Sequence, residues 1–205
     1  KYSEVIVVRE EDCSWKDYDC ILAGPGWGVA PNRQEMLDRL LDEYEGKMVL
    51  DADALTLLST SPLLRQKLKR KKQVLLTPHL GEGARFFGVE PQELKKNKIK
   101  YLRQFQQEYP QATLLLKDSV SLLAASGDIF YLPWGSDFLA RAGSGDLLSG
   151  LLCGFAAYQD LAQAAKLAVY LNGRAAELAA DEKGVIGYDH SLLVGYYGQA
   201  FQELT

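Results

Sequence analysis

The sequence predicts an α/β fold, a three-layer αβα sandwich around an open and mostly parallel sheet. Two observations carry that prediction. Short apolar runs alternate with amphipathic helical patterns along most of the chain, as a parallel sheet with crossover helices requires. The runs also end in turns rich in Gly, Pro, Asp or His, all of which would fall at the carboxyl edge of such a sheet, where ligands bind.

Glu4-Val5-Ile6-Val7-Val8 reads as a buried strand and Asp19-Cys20-Ile21-Leu22-Ala23 as a second. The second leads into Gly24-Pro25-Gly26-Trp27-Gly28. Three glycines at alternate positions let backbone pass close to a ligand or another segment; a plain tight turn is the competing reading. The spacing fits neither the dinucleotide fingerprint nor the phosphate loop ending in Gly-Lys-Ser/Thr. From Pro31 to Glu45 runs an amphipathic helix with Met36, Leu37, Leu40, Leu41 and Tyr44 on one stripe and Gly46 as its stop. Lys47-Met48-Val49-Leu50 is the next strand, ending in Asp51-Ala52-Asp53-Ala54-Leu55. In a still-extended chain Asp51 and Asp53 share a side, suited to a hydrated Mg²⁺ or a polar substrate. Equally, Asp53 reads as the N-cap of a short helix Ala54–Ser59.

Pro62 starts a helix that ends in Lys67, Lys69, Arg70, Lys71 and Lys72, where cations suit a helix C-terminus; Lys95, Lys96, Lys98 and Lys100 read as a solvated face too. Gln73-Val74-Leu75-Leu76 is a strand, followed by Thr77-Pro78-His79-Leu80-Gly81-Glu82-Gly83-Ala84-Arg85. His79 there reads either as a ligand contact or as a plain surface histidine. Pro91 to Tyr109 is a helix turning Leu94, Ile99, Leu102 and Phe105 inward, and Thr113–Leu116 is a strand ending in Lys117-Asp118. Val120–Ala124 and Ile129–Leu132 form a hairpin turned at Ser126-Gly127-Asp128. Amphipathic helices follow across Leu161–Ala180 and Ser191–Leu204. No repeat, low-complexity tract or linker interrupts the pattern, so residues 1–205 are expected to form one domain.

The chemistry concentrates in Ala142-Gly143-Ser144-Gly145-Asp146-Leu147-Leu148-Ser149-Gly150, a glycine-rich turn that opens a buried helix. Unpaired amides at the positive end of the helix dipole receive phosphate or a developing oxyanion without a cationic side chain. Asp146, in the first turn, faces the arriving anion and can take the proton of an attacking hydroxyl. The alternative is that Asp146 only stabilises the helix terminus, an effect of about 0.3–1 kcal/mol. Ser144 lacks the Gly-x-Ser-x-Gly elbow spacing, which excludes a serine hydrolase of that kind.

At 205 residues, 47% hydrophobic and 24% charged, the chain is long enough for one substantial core. A net charge of −4 and a pI near 5.3 argue against nucleic-acid binding. Apolar stretches are broken well short of the roughly 20 residues that span a bilayer, and Lys1-Tyr2-Ser3-Glu4 lacks the build of a secretion leader. Cys13, Cys20 and Cys153 form no Cys-x-x-Cys pair and the histidines are His79 and His190. Reduced thiols in the cytoplasm and no zinc site are therefore expected.

Gly-Pro-Gly-Trp-Gly, Asp-Ala-Asp-Ala-Leu, Leu-Thr-Pro-His-x-Gly-Glu and Gly-Ser-Gly-Asp-x-Leu-x-Gly, in this order, resemble the NAD(P)H-hydrate dehydratases, ribokinase-like proteins often fused behind an epimerase domain. The resemblance covers nearly the whole chain from about Tyr18. It implies dehydration of hydrated NADH or NADPH (NAD(P)HX) with ADP or ATP and Mg²⁺, the added hydroxyl being phosphorylated and expelled as phosphate. On the matching positions, Asp146 would be the base, and the amides of Gly143, Ser144 and Gly145 would hold the transferred phosphate. Gly26, Gly28, Asp53, His79, Gly81, Glu82 and Arg85 would contact the hydrated cofactor. Lys117, Asp118, Ser119, Val120 and Ser121 would lie along the nucleotide. Asp118 stands where the family has Gly, Ser121 where it has Thr, and Asn172 where it has a His-Gly pair. The family's domain begins with a further segment that nothing here matches, so a partial domain with weak or absent turnover is expected. The resemblance also implies a homo-oligomer and an epimerase, fused or associated. A ribokinase-like vitamin kinase and a non-catalytic nucleotide-binding module are the competing functions.

Overall fold

The computed structural model of the chain describes residues 6–7, 9, 12–135, 139, 143–183 and 190–204. Strands β1 (Cys20–Ala23), β2 (Lys47–Leu50), β3 (Val74–Leu76), β4 (Ala112–Leu116), β5 (Ser121–Ala125) and β6 (Asp128–Leu132) lie side by side in that order in one sheet. β1 to β4 are parallel, with Ala23 beside Leu50 and Leu50 beside Leu76. β5 and β6 return antiparallel, and Ser126 (φ 50°) and Gly127 (φ 84°) turn the hairpin in the left-handed region.

Helix α1 (Pro31–Glu43) joins β1 to β2, α2 (Ala52–Thr60) and α3 (Pro62–Leu68) join β2 to β3, and α4 (Leu80–Phe87), α5 (Pro91–Lys96) and α6 (Lys98–Glu108) join β3 to β4. Right-handed crossovers that all step in one direction place their helices on one face. There Leu37, Leu40, Leu58 and Phe105 pack on Met48, Leu50, Leu76, Leu114 and Leu116. The alternate strand residues Val49, Leu75, Leu115 and Leu123 point the other way, onto Leu152 and Ala156 of α7 (Ser144–Tyr158) and Ala164 and Ala168 of α8 (Leu161–Lys183). α9 (His190–Gln202) lies outside on α8 through Leu193 and Ala200. Because both faces are covered, the strands read as continuous apolar runs. Val49, Leu50, Leu75 and Leu76 are all 0% exposed; each such side chain contributes about 1.5–3 kcal/mol. This is the expected three-layer αβα arrangement.

Several expectations need correcting. Ile6 and Val7 are each 88% exposed and belong to no strand; Glu4, Val5 and Val8 lie outside the described residues. α1 ends at Glu43 rather than Glu45, because Tyr44 leaves the helix and its hydroxyl donates to the Tyr18 carbonyl at 2.8 Å. Gly46 is not the helix stop; it lies under Tyr44, whose Oη is 2.1 Å from where a Cβ would stand. The helix expected from Pro91 to Tyr109 breaks at Asn97, whose Nδ2 bonds back to the Glu93 carboxylate at 3.0 Å. The break shifts the helical phase, so Tyr101 is buried and Ile99 faces out. Finally, α4 forms where only a turn was expected.

Candidate functional site

Four segments meet at the carboxyl edge of the parallel strands. After β1, Gly24 (φ 120°) brings the chain against the start of α2 so closely that a Cβ would sit 1.8 Å from the Asp51 carbonyl. No other residue fits there. After β2, Asp51 is 2% exposed and Ala52 (φ 47°) turns the chain into α2. The two aspartates expected to share a side are therefore parted by the helix turn. The carboxylate of Asp51 goes inward, accepting from Lys117 Nζ at 2.8 Å and from Ser149 Oγ at 2.5 Å. Asp53 goes outward, and its Oδ2 accepts the Gly28 amide at 2.7 Å. α2 begins at Ala52, so Asp53 is not its N-cap.

After β3, His79 is the N-cap of α4. Its Nδ1 accepts the amides of Gly81 (2.9 Å) and Glu82 (3.4 Å), and Glu82 Oε2 accepts the His79 amide at 2.9 Å. This reciprocal capping starts the helix, and Gly88 (φ 68°) closes it. Arg85, one turn on, donates from Nη1 to Thr56 Oγ1 of α2 at 3.2 Å. After β4, Lys117 donates its amide to the Pro78 carbonyl at 2.8 Å, which fixes the lysine beside His79.

α7 begins at the same edge. Gly143 (φ 95°) is its N-cap, Ser144 Oγ donates to the Leu139 carbonyl at 2.6 Å, and Asp146 is exposed in the first turn. Ser149 of the second turn anchors the helix to Asp51, so one buried carboxylate ties β2, β4 and α7 together. Lys117 Nζ lies 3.7 Å from where a Cβ on Gly145 would stand. The ammonium is thus held at the positive end of α7, and the two fields add toward an anion.

A cavity of about 530 Å³ opens here, with His79, Lys117, Ser119, Ser121, Ser144 and Gly145 on its polar side. Asp118 also lines it and is ion-paired with Lys98. Burial works against the Asp118 charge, but the hydrogen bonds from Lys98 and from the Ser119 amide outweigh it and hold the carboxyl below its ordinary range. Of the residues expected along the nucleotide, Lys117, Asp118, Ser119, Ser121, Ser144 and Gly145 line this one cavity, while Val120 faces a separate groove beside Lys100. Gly143 and Asp146 are not among the lining residues; they adjoin Ser144 and Gly145, which are. Gly26, Gly28, Asp53 and Arg85 form a second group, linked through Gly28–Asp53 and Arg85–Thr56. Gly81 and Glu82 are engaged with His79, at the boundary between the two. No group of three His, Cys, Asp or Glu suited to a metal occurs among the described residues.

Sequence reasoning missed the contacts that build the far wall. A Cβ on Gly135 would stand 2.1 Å from the Ser119 carbonyl, and one on Gly173 2.3 Å from the Trp134 carbonyl. The resemblance puts Gly135 at the start of the nucleotide-side approach to the α7 turn and Gly173 in the family's His-Gly position, but the contact each makes is with a segment distant in the chain. The motif residue Ser149 was legible as small, but not as a partner of Asp51.

The mostly parallel sheet, covered by helices on both faces and with a helix terminus at its carboxyl edge, has a ribokinase-like α/β fold. A ribokinase-like superfamily protein of Enterococcus faecalis, 23% identical over 90% of this chain and 63% of its own, has this fold with a TM-score of 0.72. The profile of the NAD(P)H-hydrate dehydratases matches residues 4–197, and the chain belongs to that family. The ADP-dependent (S)-NAD(P)H-hydrate dehydratase of Bacillus subtilis is 34% identical over 204 residues, covering 92% of this chain and 69% of the relative. The structure of the ADP/ATP-dependent enzyme from that organism, co-crystallized with ATP/Mg²⁺ and soaked with CoA, matches with a TM-score of 0.80 at 31% identity, over 93% of this chain and 72% of its own. The chain spans about a third of the length of the bifunctional NAD(P)H-hydrate repair enzymes that match 82% of it. No helix among the described residues is long and apolar enough to cross a membrane.

Proposed function

We propose that the chain carries the dehydratase activity of its family, restoring NADH or NADPH from the hydrated cofactor with ADP or ATP as phosphoryl donor. The observation that carries this reading is the Lys117 ammonium, fixed by buried Asp51 at the first turn of α7, one residue from Asp146. A polyphosphate fits that place. The amides of the turn and the lysine face one cavity, and the glycine at position 145 leaves the helix terminus uncovered. The carboxylates here suit a Mg²⁺ that arrives on the nucleotide, since that ion is usually held by one or two carboxylates plus phosphates and water. When bound, it neutralises phosphate charge.

In this reading Asp146 accepts the proton of the hydroxyl on the hydrated ring as that oxygen attacks the terminal phosphoryl group. Lys117 and the amides of Gly143, Ser144 and Gly145 hold the charge that gathers on the phosphoryl oxygens. The carbon–oxygen bond then breaks, phosphate leaves, and loss of a ring proton restores the dihydronicotinamide. Gly26, Gly28, Asp53, His79, Gly81, Glu82 and Arg85 form the wall against the hydrated cofactor, and Lys117 to Ser121 the wall against the nucleotide. We extend the reading to a single domain, to a cytoplasmic homo-oligomer and to an NAD(P)HX epimerase, fused or associated, that supplies the reactive epimer.

The test is a coupled assay in which hydrated NADH is offered with ADP and then with ATP, following the absorbance of the reduced nicotinamide and the release of phosphate. Asp146→Asn is expected to lower turnover by about 10²–10⁴-fold, the usual worth of a positioned base, with nucleotide affinity and melting temperature nearly unchanged. A stable phosphorylated product with no free phosphate would instead make the chain a kinase. Lost stability with an unchanged rate per folded molecule would reduce Asp146 to a helix cap.

A further inference from the structure

Asn172 lies on α8, is 3% exposed and lines the cavity. Its Oδ1 accepts from the Tyr197 hydroxyl of α9 at 3.0 Å, and no hydrogen bond from its Nδ2 is found among the described residues. The residue lines a cavity sized for a nucleotide, where a bound group can take up that donor. Its surroundings are apolar. Leu148 and Val169 line the same cavity, and Trp134 does so from its seat on α8. That seat is fixed twice: the Trp134 carbonyl occupies the space a side chain on Gly173 would need, and the indole ring stands edge-to-face on Tyr170 at 5.3 Å. Asn172 thus offers a donor, and no acceptor, among flat and aliphatic walls. A planar heterocycle with a ring nitrogen at its edge satisfies both conditions.

We infer that Asn172 reads the base of the nucleotide, donating from Nδ2 to a ring-nitrogen acceptor, and that Tyr197 is a positioning residue that holds the amide in the donating orientation. This rests on the nucleotide reading proposed above. Without the Tyr197 hydroxyl the amide is free to turn its oxygen toward the base, where it would meet another acceptor. Histidine preserves the pattern, since one ring nitrogen accepts from Tyr197 while the other donates.

Calorimetric titration with ADP and with ribose 5-diphosphate, the same ligand without its base, tests the assignment on the full chain. Asn172→Leu is expected to weaken ADP about tenfold or more, the loss of one good hydrogen bond, and to leave ribose 5-diphosphate unchanged. Asn172→His should restore ADP binding to within about threefold. Tyr197→Phe, which removes one hydroxyl and keeps the ring packed, should weaken ADP alone by a smaller factor. Equal losses for both ligands, or no loss for ADP, would overturn the base-reading role. Wild-type protein that binds ribose 5-diphosphate as tightly as ADP would overturn it too while sparing the phosphate site. Wild-type protein that binds neither would overturn the nucleotide reading itself.

Discussion

Replacing Asp51 by Asn keeps the shape of the residue and removes its charge, which makes it the sharpest probe of the site's framework. The carboxylate is 2% exposed and accepts two short hydrogen bonds, from Lys117 at 2.8 Å and Ser149 at 2.5 Å. Breaking a fully buried ion pair costs about 3–5 kcal/mol. Here the Lys117 side chain is 18% exposed, so water in the cavity recovers part of that. The expected loss is then about 2–3 kcal/mol, near the range for charge-assisted hydrogen bonds. In a chain of this size that lowers the melting temperature by about 4–12 °C. Circular-dichroism melts of the wild type, Asp51→Asn, Lys117→Met and the double variant form a cycle whose coupling should be about 1–3 kcal/mol. The KM for the nucleotide should rise with it, because the ammonium is no longer held at Gly145. Asp51→Asn melting within about 2 °C of the wild type, with coupling below about 0.5 kcal/mol, would refute the view that this carboxylate organises the edge.

Gly145→Ala adds a methyl 3.7 Å from Lys117 Nζ, an ordinary contact, so stability should stay level or rise by about 0.4–1 kcal/mol. Nucleotide affinity should nevertheless fall about tenfold by titration, since the methyl stands where phosphate would approach. His79→Ala should cost about 1 kcal/mol through the lost cap, visible in a urea melt and as faster amide exchange across α4. Asp118 has a folded pKa below its unfolded value, so its contribution to stability is present at neutral pH and is lost as the pH falls through the folded pKa. Lys98→Met should therefore flatten the acid limb of the stability–pH curve, checked by melts across the acid range.

What the sequence determined alone follows from local rules. Apolar runs such as Lys47–Leu50 and Val74–Leu76 declare strands buried on both faces. Proline at the first helical position marks α1, α3 and α5, and Ser126-Gly127 marks the hairpin turn, because each effect acts within a few residues. The order of the motifs was equally legible, and with it the edge of the sheet where chemistry would gather. α4 was also encoded locally, in His79 and Glu82 three residues apart and Gly88 beyond, but histidine is an unusual N-cap and the signal passed as a turn.

Tertiary structure alone decided which aspartate of Asp51-Ala52-Asp53 goes inward. That choice depends on where Lys117 and Ser149 arrive, from 66 and 98 residues away. It also decided that Gly135 and Gly173 are places of contact, and that Asn172 lines the cavity beside Trp134 with its Oδ1 held by Tyr197. Short-range preferences are written in neighbouring residues. The partner of a buried charge or donor is set by the crossing of distant elements, and no stretch of the chain carries that by itself.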